Sequence, residues 1–471
     1  MARANVIGAG PNGLAAAITL ARAGVAVTVY EALEWVGGAA STREVTLPLF
    51  RHDLGSSVYP MGVASPFFRS LPLAEYGFRW VEPEAPLAHP LDDGSAVMME
   101  HGLASTAASL GRSDGAAYRG LIGPLVDGWE DLVGEILQPV LHVPLHPVVL
   151  GRFGMGAVMP ATTLAGMRFR GVRAKALFAG NAAHSVMPLT SPLSSAVGLV
   201  LQAAGHATGW PVAAGGAQSL SDALAGILRG VGGEIRLGMR VERLEDLPAA
   251  DITMFDLTPR QAVRILGDRL GAGTKGRLAG FRYGPGAFKI DYALSEAIPW
   301  RAPECRRAAT VHLGGTIEEI VASEAACWEG RTDVAPFVLL VQPSLFDPGR
   351  APGGRHTAWA YCHVPQGYAG DRTEAIERQI ERFAPGFRDC VLARKTWTTG
   401  ELEGWNANLV GGDLSGGAMT VGQIVARPTV SGYRTGVKGV YLCGSSTGPG
   451  GGVHGMCGYG AASVALRDLR G

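Results

Sequence analysis

The sequence predicts an α/β protein in which the two chain ends share one parallel sheet and the middle forms a second unit of sheet and helix. Three observations carry this. Strand, helix and strand patterns follow one another within the first 30 residues, the length of a βαβ unit. Another strand pattern, a glycine-rich turn and a helix close the chain. Glycine concentrates at both places: six of the 68 lie in Gly8–Gly38 and eleven in Ser431–Gly460. Those are positions where backbone approaches a ligand or another backbone closely.

The elements follow in order. Val6–Ile7 closes the first strand, Leu14–Ala23 is an Ala/Leu-rich helix, and Ala26–Tyr30 is the second strand. The middle is unusually free of charge. Ile136–Gly151 has no Asp, Glu, Lys or Arg, and neither does Ala176–Ser221, 46 residues long. Pro188, Pro192 and Pro211 prevent the latter from being one helix. It reads as buried core, or as the wall of an apolar substrate tunnel in contact with a membrane surface. Beyond it, Leu220–Leu228 reads as a helix and Glu234–Leu244 as a strand pair. Phe288–Leu294 and Val338–Gln342 read as strands and Ile376–Phe383 as a short charged helix. Gly439–Cys443 is a strand and Ala461–Leu469 the terminal helix. These assign 1–75, 206–260 and 425–471 to a discontinuous nucleotide-type domain, and 76–205 and 261–424 to a substrate domain.

Composition excludes several classes. Hydrophobic residues are 47% and charged residues 17%, the reverse of a disordered chain. Net charge is zero, so no basic footprint for nucleic acid is expected. Six cysteines, none in C-x-x-C spacing, form neither a disulfide framework nor a metal set, and a cytoplasmic setting is expected. The N-terminus enters a folded motif at once, so no leader is expected.

Gly8-Ala9-Gly10-Pro11-Asn12-Gly13 is a G-x-G-x-x-G between strand and helix, and Glu31 ends the next strand. Gly8 permits the turn, Gly10 lets backbone approach a pyrophosphate, and Gly13 lets helix pack on strand. The helix N-terminus offers free N–H groups to phosphate, and Glu31 would accept from a ribose. A second pair, Gly37-Gly38-Ala39-Ala40, follows six residues after Glu31 and allows a second close pass at a diphosphate. Gly271–Gly276 also fits G-x-G-x-x-G. It follows a helix with no acidic strand end beyond, and is read as a loop. With it goes the only candidate for a separate nicotinamide domain. Gly450–Gly455 precedes the terminal helix. Its N–H groups and the helix dipole would favour negative charge on a ligand beside it.

The strings GAGPNGLAAAITLARAG…VYEALEWVGGAA and YRTGVKGVYLCGSSTGPGGGVHGMCGYGAA resemble the phytoene desaturase-related flavoproteins of the FAD-binding amine oxidase superfamily. These include the pyridine nucleotide-disulfide oxidoreductase domain-containing 2 group. The resemblance implies FAD, a Rossmann-type FAD-binding domain assembled from both chain ends, and a hydrophobic small-molecule substrate. By motif it places Gly8, Gly10, Pro11, Asn12, Gly13, Glu31, Ala32, Gly38, Ala39 and Ala40 at the cofactor. It runs His52–Ser57, with Ser56 and Ser57, beside the isoalloxazine. It puts the Val241 backbone at adenine, Gly444 and Ser445 at ribityl and pyrophosphate, and Gly452 and Val453 at the flavin edge.

Three residues are candidates for chemistry. Phe288–Tyr292 reads as a strand, so Lys289 and Asp291 share one face and Phe288, Ile290 and Tyr292 the other. Lys289 resembles the lysine that holds a water near flavin N5 in amine-oxidase-like folds, or is simply paired with Asp291. His454 is an acid/base candidate beside the flavin-edge loop. Tyr59 is a cavity-lining candidate. No metal site is expected, because Cys443, His454 and Cys457 lack a fourth ligand. Gly444–Gly448 imitates a hydrolase elbow, but no acid-then-histidine pair follows it. The expected activity is FAD-dependent desaturation of a hydrophobic substrate, with O2 or a quinone as acceptor. The alternatives are polyene isomerisation or saturation, amine oxidation, or FAD binding without catalysis.

Overall fold

The computed structural model describes residues 1–470. Its first sheet has five parallel strands in the order Val440–Leu442, Ile252–Phe255, Arg3–Ile7, Ala26–Tyr30 and Glu234–Arg236. Ile7 pairs with both Tyr30 and Phe255, and Phe255 with Leu442. The strands therefore end level, and the loops after them share one edge. Open parallel sheets bind ligands at this carboxyl edge.

Helix Pro11–Arg22 starts with proline in its first turn, where no N–H is needed. It buries Leu14, Ala15, Ala16, Ala17, Ile18 and Leu20 against the sheet. The small alanines let the terminal helix Met456–Arg470 pack beside it through Ala461, Ala462 and Ala465. Chain start and chain end thus fold as one body.

The second sheet has seven strands, with Val391–Trp397 at one edge and Ala96–Met99 at the other. Its central pairs are antiparallel, and Ala308–Leu313 runs parallel to Ala85–Pro90. Period 2 holds along Gly286–Leu294. Phe288, Ile290 and Tyr292 enter the core beneath helix Thr373–Phe383, while Lys289 and Asp291 sit opposite, beside Tyr361 and Trp359.

Three readings change, and one open pair of readings is decided. The strand pair over 234–244 is one strand of three residues, because Gly238 takes a left-handed φ of 66° and turns the chain along the sheet edge. Gly271–Gly276 is the start of a helix, Ala272–Ala279, not a loop. That helix and Pro259–Leu266 pack on the first sheet through Ala262, Ile265, Leu266 and Leu278. The nucleotide-type unit therefore extends past the expected boundary at 260. The uncharged stretch is core: helices Val172–Ala183 and Ser194–Ala207 bury their small residues against each other and against Leu164 and Trp210.

Candidate dinucleotide site

A cleft of about 350 Å3 opens along the carboxyl edge of the first sheet, within the ~300–1,000 Å3 range of ligand sites. Its floor is the 8–13 loop. Gly8 N–H donates to Tyr30 O, and Gly37 N–H to Ala9 O. The Glu31 carboxylate accepts from Ala9 N–H at 2.7 Å and Leu33 N–H at 2.9 Å. Glu31 therefore clamps the turn while lining the cleft.

Of the candidate cofactor residues, Gly8, Gly10, Pro11, Asn12, Glu31, Ala32, Gly38 and Ala39 line this cleft, as do Ser56, Val241, Gly444, Ser445, Gly452 and Val453. Gly13, Ala40 and Ser57 do not. Gly13 faces the Gly8 carbonyl, Ala40 O accepts from Ser221, and the Ser57 hydroxyl donates to Asp53.

Two features test whether a dinucleotide fits. A Cβ on Gly38 would lie 3.3 Å from Gly10 Cα, so two backbone segments converge where a diphosphate would pass. Asn12 Oδ1 is buried without a partner, while its Nδ2 reaches Ser445 Oγ at 3.5 Å. A buried acceptor of this kind beside a helix N-terminus fits a hydroxyl donor on a dinucleotide.

Sequence reasoning missed several lining residues. Asp256 ends the strand Ile252–Phe255 and accepts from Gly13 N–H at 2.9 Å. An acidic residue closing a short apolar run, as Glu31 does, was its available signal. Arg240 and Arg264 line the cleft without an ion-pair partner among the described residues. Trp405–Leu409 comes across from the second unit to form a wall. Asn408 fixes it: its Oδ1 accepts from Thr258 N–H and its Nδ2 donates to Asp256 O.

Burial pushes the Asp256 carboxyl from 3.8 up to about 7; the Gly13 N–H pulls it down and Glu31 adds to the rise. With the folded value above the unfolded one, the stabilisation is whole below about 3.8 and is lost as pH climbs through about 7. Asp256→Asn should therefore stabilise the cofactor-free protein by on the order of 3 kcal/mol at about pH 8 and far less at about pH 5. Thermal melts at both values check this, and equal gains would remove the assignment.

None of the three catalytic candidates lines the cleft. Tyr59 is core: its hydroxyl donates to Ser56 O, its ring packs on Trp80, and burial pushes its phenol up. His454 follows Val453 but is buried, and burial lowers its imidazole to about 4. Its Nδ1 accepts from Met456 N–H and its carbonyl from Ser65. It is a neutral ring that holds the loop. Lys289 donates to both Asp291 oxygens at 2.5 and 2.6 Å. Trp397 Nε1–H also donates to Asp291, and His52 Nδ1 lies 3.8 Å away. The structure thus brings Lys289 to the 52–57 segment, as half of a buried ion pair. Among the described residues no cluster of His, Cys, Asp and Glu could hold a metal.

Comparison with known proteins agrees with this geometry. Residues 6–71 match the NAD(P)-binding Rossmann-like domain. The mouse pyridine nucleotide-disulfide oxidoreductase domain-containing protein 2 is 28% identical, over 99% of this chain and 93% of its own. The phytoene dehydrogenase of Streptomyces griseus is 26% identical, over 82% of this chain and 77% of its own. Among solved structures, an oxidoreductase from Methanosarcina mazei superposes with a TM-score of 0.66 at 17% identity, covering 98% of this chain and 100% of that one. The chain thus carries a Rossmann-type dinucleotide-binding fold at its start and is similar over nearly its whole length to the pyridine nucleotide-disulfide oxidoreductase domain-containing protein 2 sequences.

Proposed function

We propose that the protein is an FAD-dependent oxidoreductase that removes hydride from a hydrophobic substrate and passes the electrons to O2 or a quinone. One observation carries the reading. Residues from both chain ends line a single cleft, among them Gly8, Gly10, Asn12 and Glu31 from the first part of the chain and Gly444, Ser445, Gly452 and Val453 from the last. An extended two-ended ligand suits it, and the Gly271–Gly276 string, which follows helix Pro259–Leu266, does not line it.

Bound FAD would supply a hydride acceptor at flavin N5. The protein would hold it through the 8–13 N–H groups at the pyrophosphate, Glu31 at the ribose and the Val241 backbone at the adenine. The Gly450–Gly455 turn would present N–H groups to the ring edge. On the substrate side, Leu339, Val341 and Trp359 pack with Tyr361 against Val58, and Val58 itself lines the cleft. Such a wall excludes water and favours apolar ligands. The relative that acts on phytoene is consistent with a long-chain or polyene substrate.

A second reading is amine oxidation. Trp359 and Tyr361 stack 5.7 Å apart with planes 14° from parallel, and the Glu324 carboxylate is buried on His363 beside Tyr361. Aromatic faces near a carboxylate suit a cation.

The purified protein is expected to be yellow and to bleach anaerobically with a long-chain or polyene compound. Bleaching by amines with peroxide release would select the second reading. A colourless protein that takes up no FAD would end both.

A further inference from the structure

We infer, resting on the FAD reading above, that Asp256 binds the diphosphate of the cofactor as a neutral acid, so that cofactor binding takes up a proton from solvent.

Four glycines are shaped around this one side chain. A Cβ on Gly10 would lie 2.9 Å from Asp256 Oδ2, one on Gly13 3.1 Å from the same oxygen, and one on Gly444 2.9 Å from Oδ1. A Cβ on Gly8 would meet Asp256 Cβ at 3.1 Å. Gly10 is also the residue that Gly38 approaches. The carboxyl therefore sits where the 8–13 turn, the second glycine pair and the loop after Val440–Leu442 converge. Gly10, Gly38, Gly444 and Asp256 all line the cleft.

An ionised carboxylate only accepts, at about four lone-pair sites. Asp256 Oδ2 accepts from Gly13 N–H at 2.9 Å. Its Oδ1 receives no hydrogen bond, and no arginine, lysine or histidine pairs with it among the described residues. A buried charge met by one donor is costly. A protonated acid asks for less and has an O–H to give. A diphosphate offers anionic acceptor oxygens, and O–H to an anionic oxygen is among the stronger hydrogen bonds. An ionised Asp256 would instead set another negative charge against the diphosphate.

The groups around Asp256 leave the proton to it. Burial pushes its carboxyl up to about 7, and Glu31, which closes Ala26–Tyr30, adds to the rise. Cys443, after the neighbouring strand, and Cys457, on the terminal helix, are thiols that burial pushes up, Cys457 to about 11. The helix Pro11–Arg22 brings the Gly13 N–H. The 405–409 wall brings Asn408, which donates to the Asp256 carbonyl. Arg240 and Arg264 line the same cleft but are exposed. A bound diphosphate is a like charge and raises the carboxyl further. Well below pH 7 the group is protonated with and without the cofactor, and affinity is level. As pH climbs past about 7, binding has to draw a proton from solvent, and Kd rises by up to tenfold per pH unit.

The test is titration of the full-length protein with FAD, followed by flavin fluorescence, from about pH 5.5 to about pH 9. The wild-type Kd is expected to be level at the acid end and at least ~10-fold weaker by about pH 9. Asp256→Asn keeps an acceptor for the Gly13 N–H and carries a fixed N–H donor in place of the O–H. Its Kd should stay level and be tighter than the wild type's at the alkaline end. Calorimetry at about pH 8 in two buffers of different ionisation heat reads the proton itself. The wild type should show net uptake on binding FAD and Asp256→Asn none. The inference is overturned, with the FAD reading intact, if the wild type binds FAD equally well across the range. It is also overturned if Asp256→Asn keeps the wild-type slope. Absence of FAD binding at every pH would overturn both.

Discussion

Under the proposed function, Gly13→Ala is expected to yield a protein without yellow colour, with FAD affinity lowered by at least ~100-fold, about 3 kcal/mol. A Cβ at position 13 would lie 2.0 Å from the Gly8 carbonyl oxygen and 3.1 Å from Asp256 Oδ2. The obstacle is backbone, which cannot swing aside as a side chain does. The helix Pro11–Arg22 would have to back away from the first strand. That breaks the Gly13 N–H bond to Asp256 and moves the N-terminal N–H groups away from the pyrophosphate position. Melting temperature should fall as well, because this helix packs both the sheet and the terminal helix. Gly24→Ala is the control. It meets nothing within 4 Å and is strained only by its φ of 84°. It should cost about 1 kcal/mol and keep the cofactor. Equal loss of colour in both variants would show that the effect is not local to the cleft.

Arg350→Met is expected to destabilise the protein by about 3–5 kcal/mol at neutral pH, the usual result of orphaning a buried charge. Arg350 and Asp53 are both wholly buried, with Nη1 3.0 Å from Oδ2. Arg350 also donates to Asp347 at 2.6 Å and to Ala213 O. Thr42 and the Ala217 N–H donate to the other Asp53 oxygen. Burial alone would raise the Asp53 carboxyl, but the guanidinium and these donors outweigh it and hold it below its ordinary 3.8. A lowered folded value means stability present above the unfolded value and lost as pH falls through the folded one. Without Arg350 the carboxyl takes up a proton more readily. The variant's deficit should therefore shrink toward acid pH, and Asp53→Asn should recover part of it. Denaturant titrations at about pH 7 and about pH 5 measure both. A deficit independent of pH would mean that lost packing, not lost charge, is responsible.

The chain ends were legible because their signal is local. A tight turn, a close backbone approach and a helix start each demand glycine or proline within a few residues, and Gly8–Gly13 states all three. Asp256 was not legible in that way. Its strand has four residues and is defined by pairing with segments some 250 residues before it and 190 after it. The Trp405–Leu409 wall is likewise tertiary: the hydrogen bonds of Asn408 and the Gln261 donation to Ala407 O bring it there. Tyr59 and His454 adjoin motif residues, but closeness along the chain does not say which way a side chain points. Lys289 shows the converse. Period 2 put it on a face with Asp291, and that pairing is what occupies its ammonium. The helix at 147–157 was legible only through the uncharged run that ends at Gly151, which does not say that Val149, Phe153 and Ala157 pack inward while Val148 and Met155 stay exposed.

The strand order of the first sheet has a consequence for how the protein is made. Arg3–Ile7 lies at the centre, but its neighbour at Ile252–Phe255 and the edge strand Val440–Leu442 emerge from the ribosome much later. At ~5–20 residues per second the full sheet waits roughly 20–90 s after synthesis of the first strand. The first strand has a bare hydrogen-bonding edge until Ile252–Phe255 is made, roughly 12–50 s on, and for the whole wait the alanine face of its helix has no terminal helix against it. The nascent chain must therefore carry an aggregation-prone half-sheet until its last 30 residues arrive.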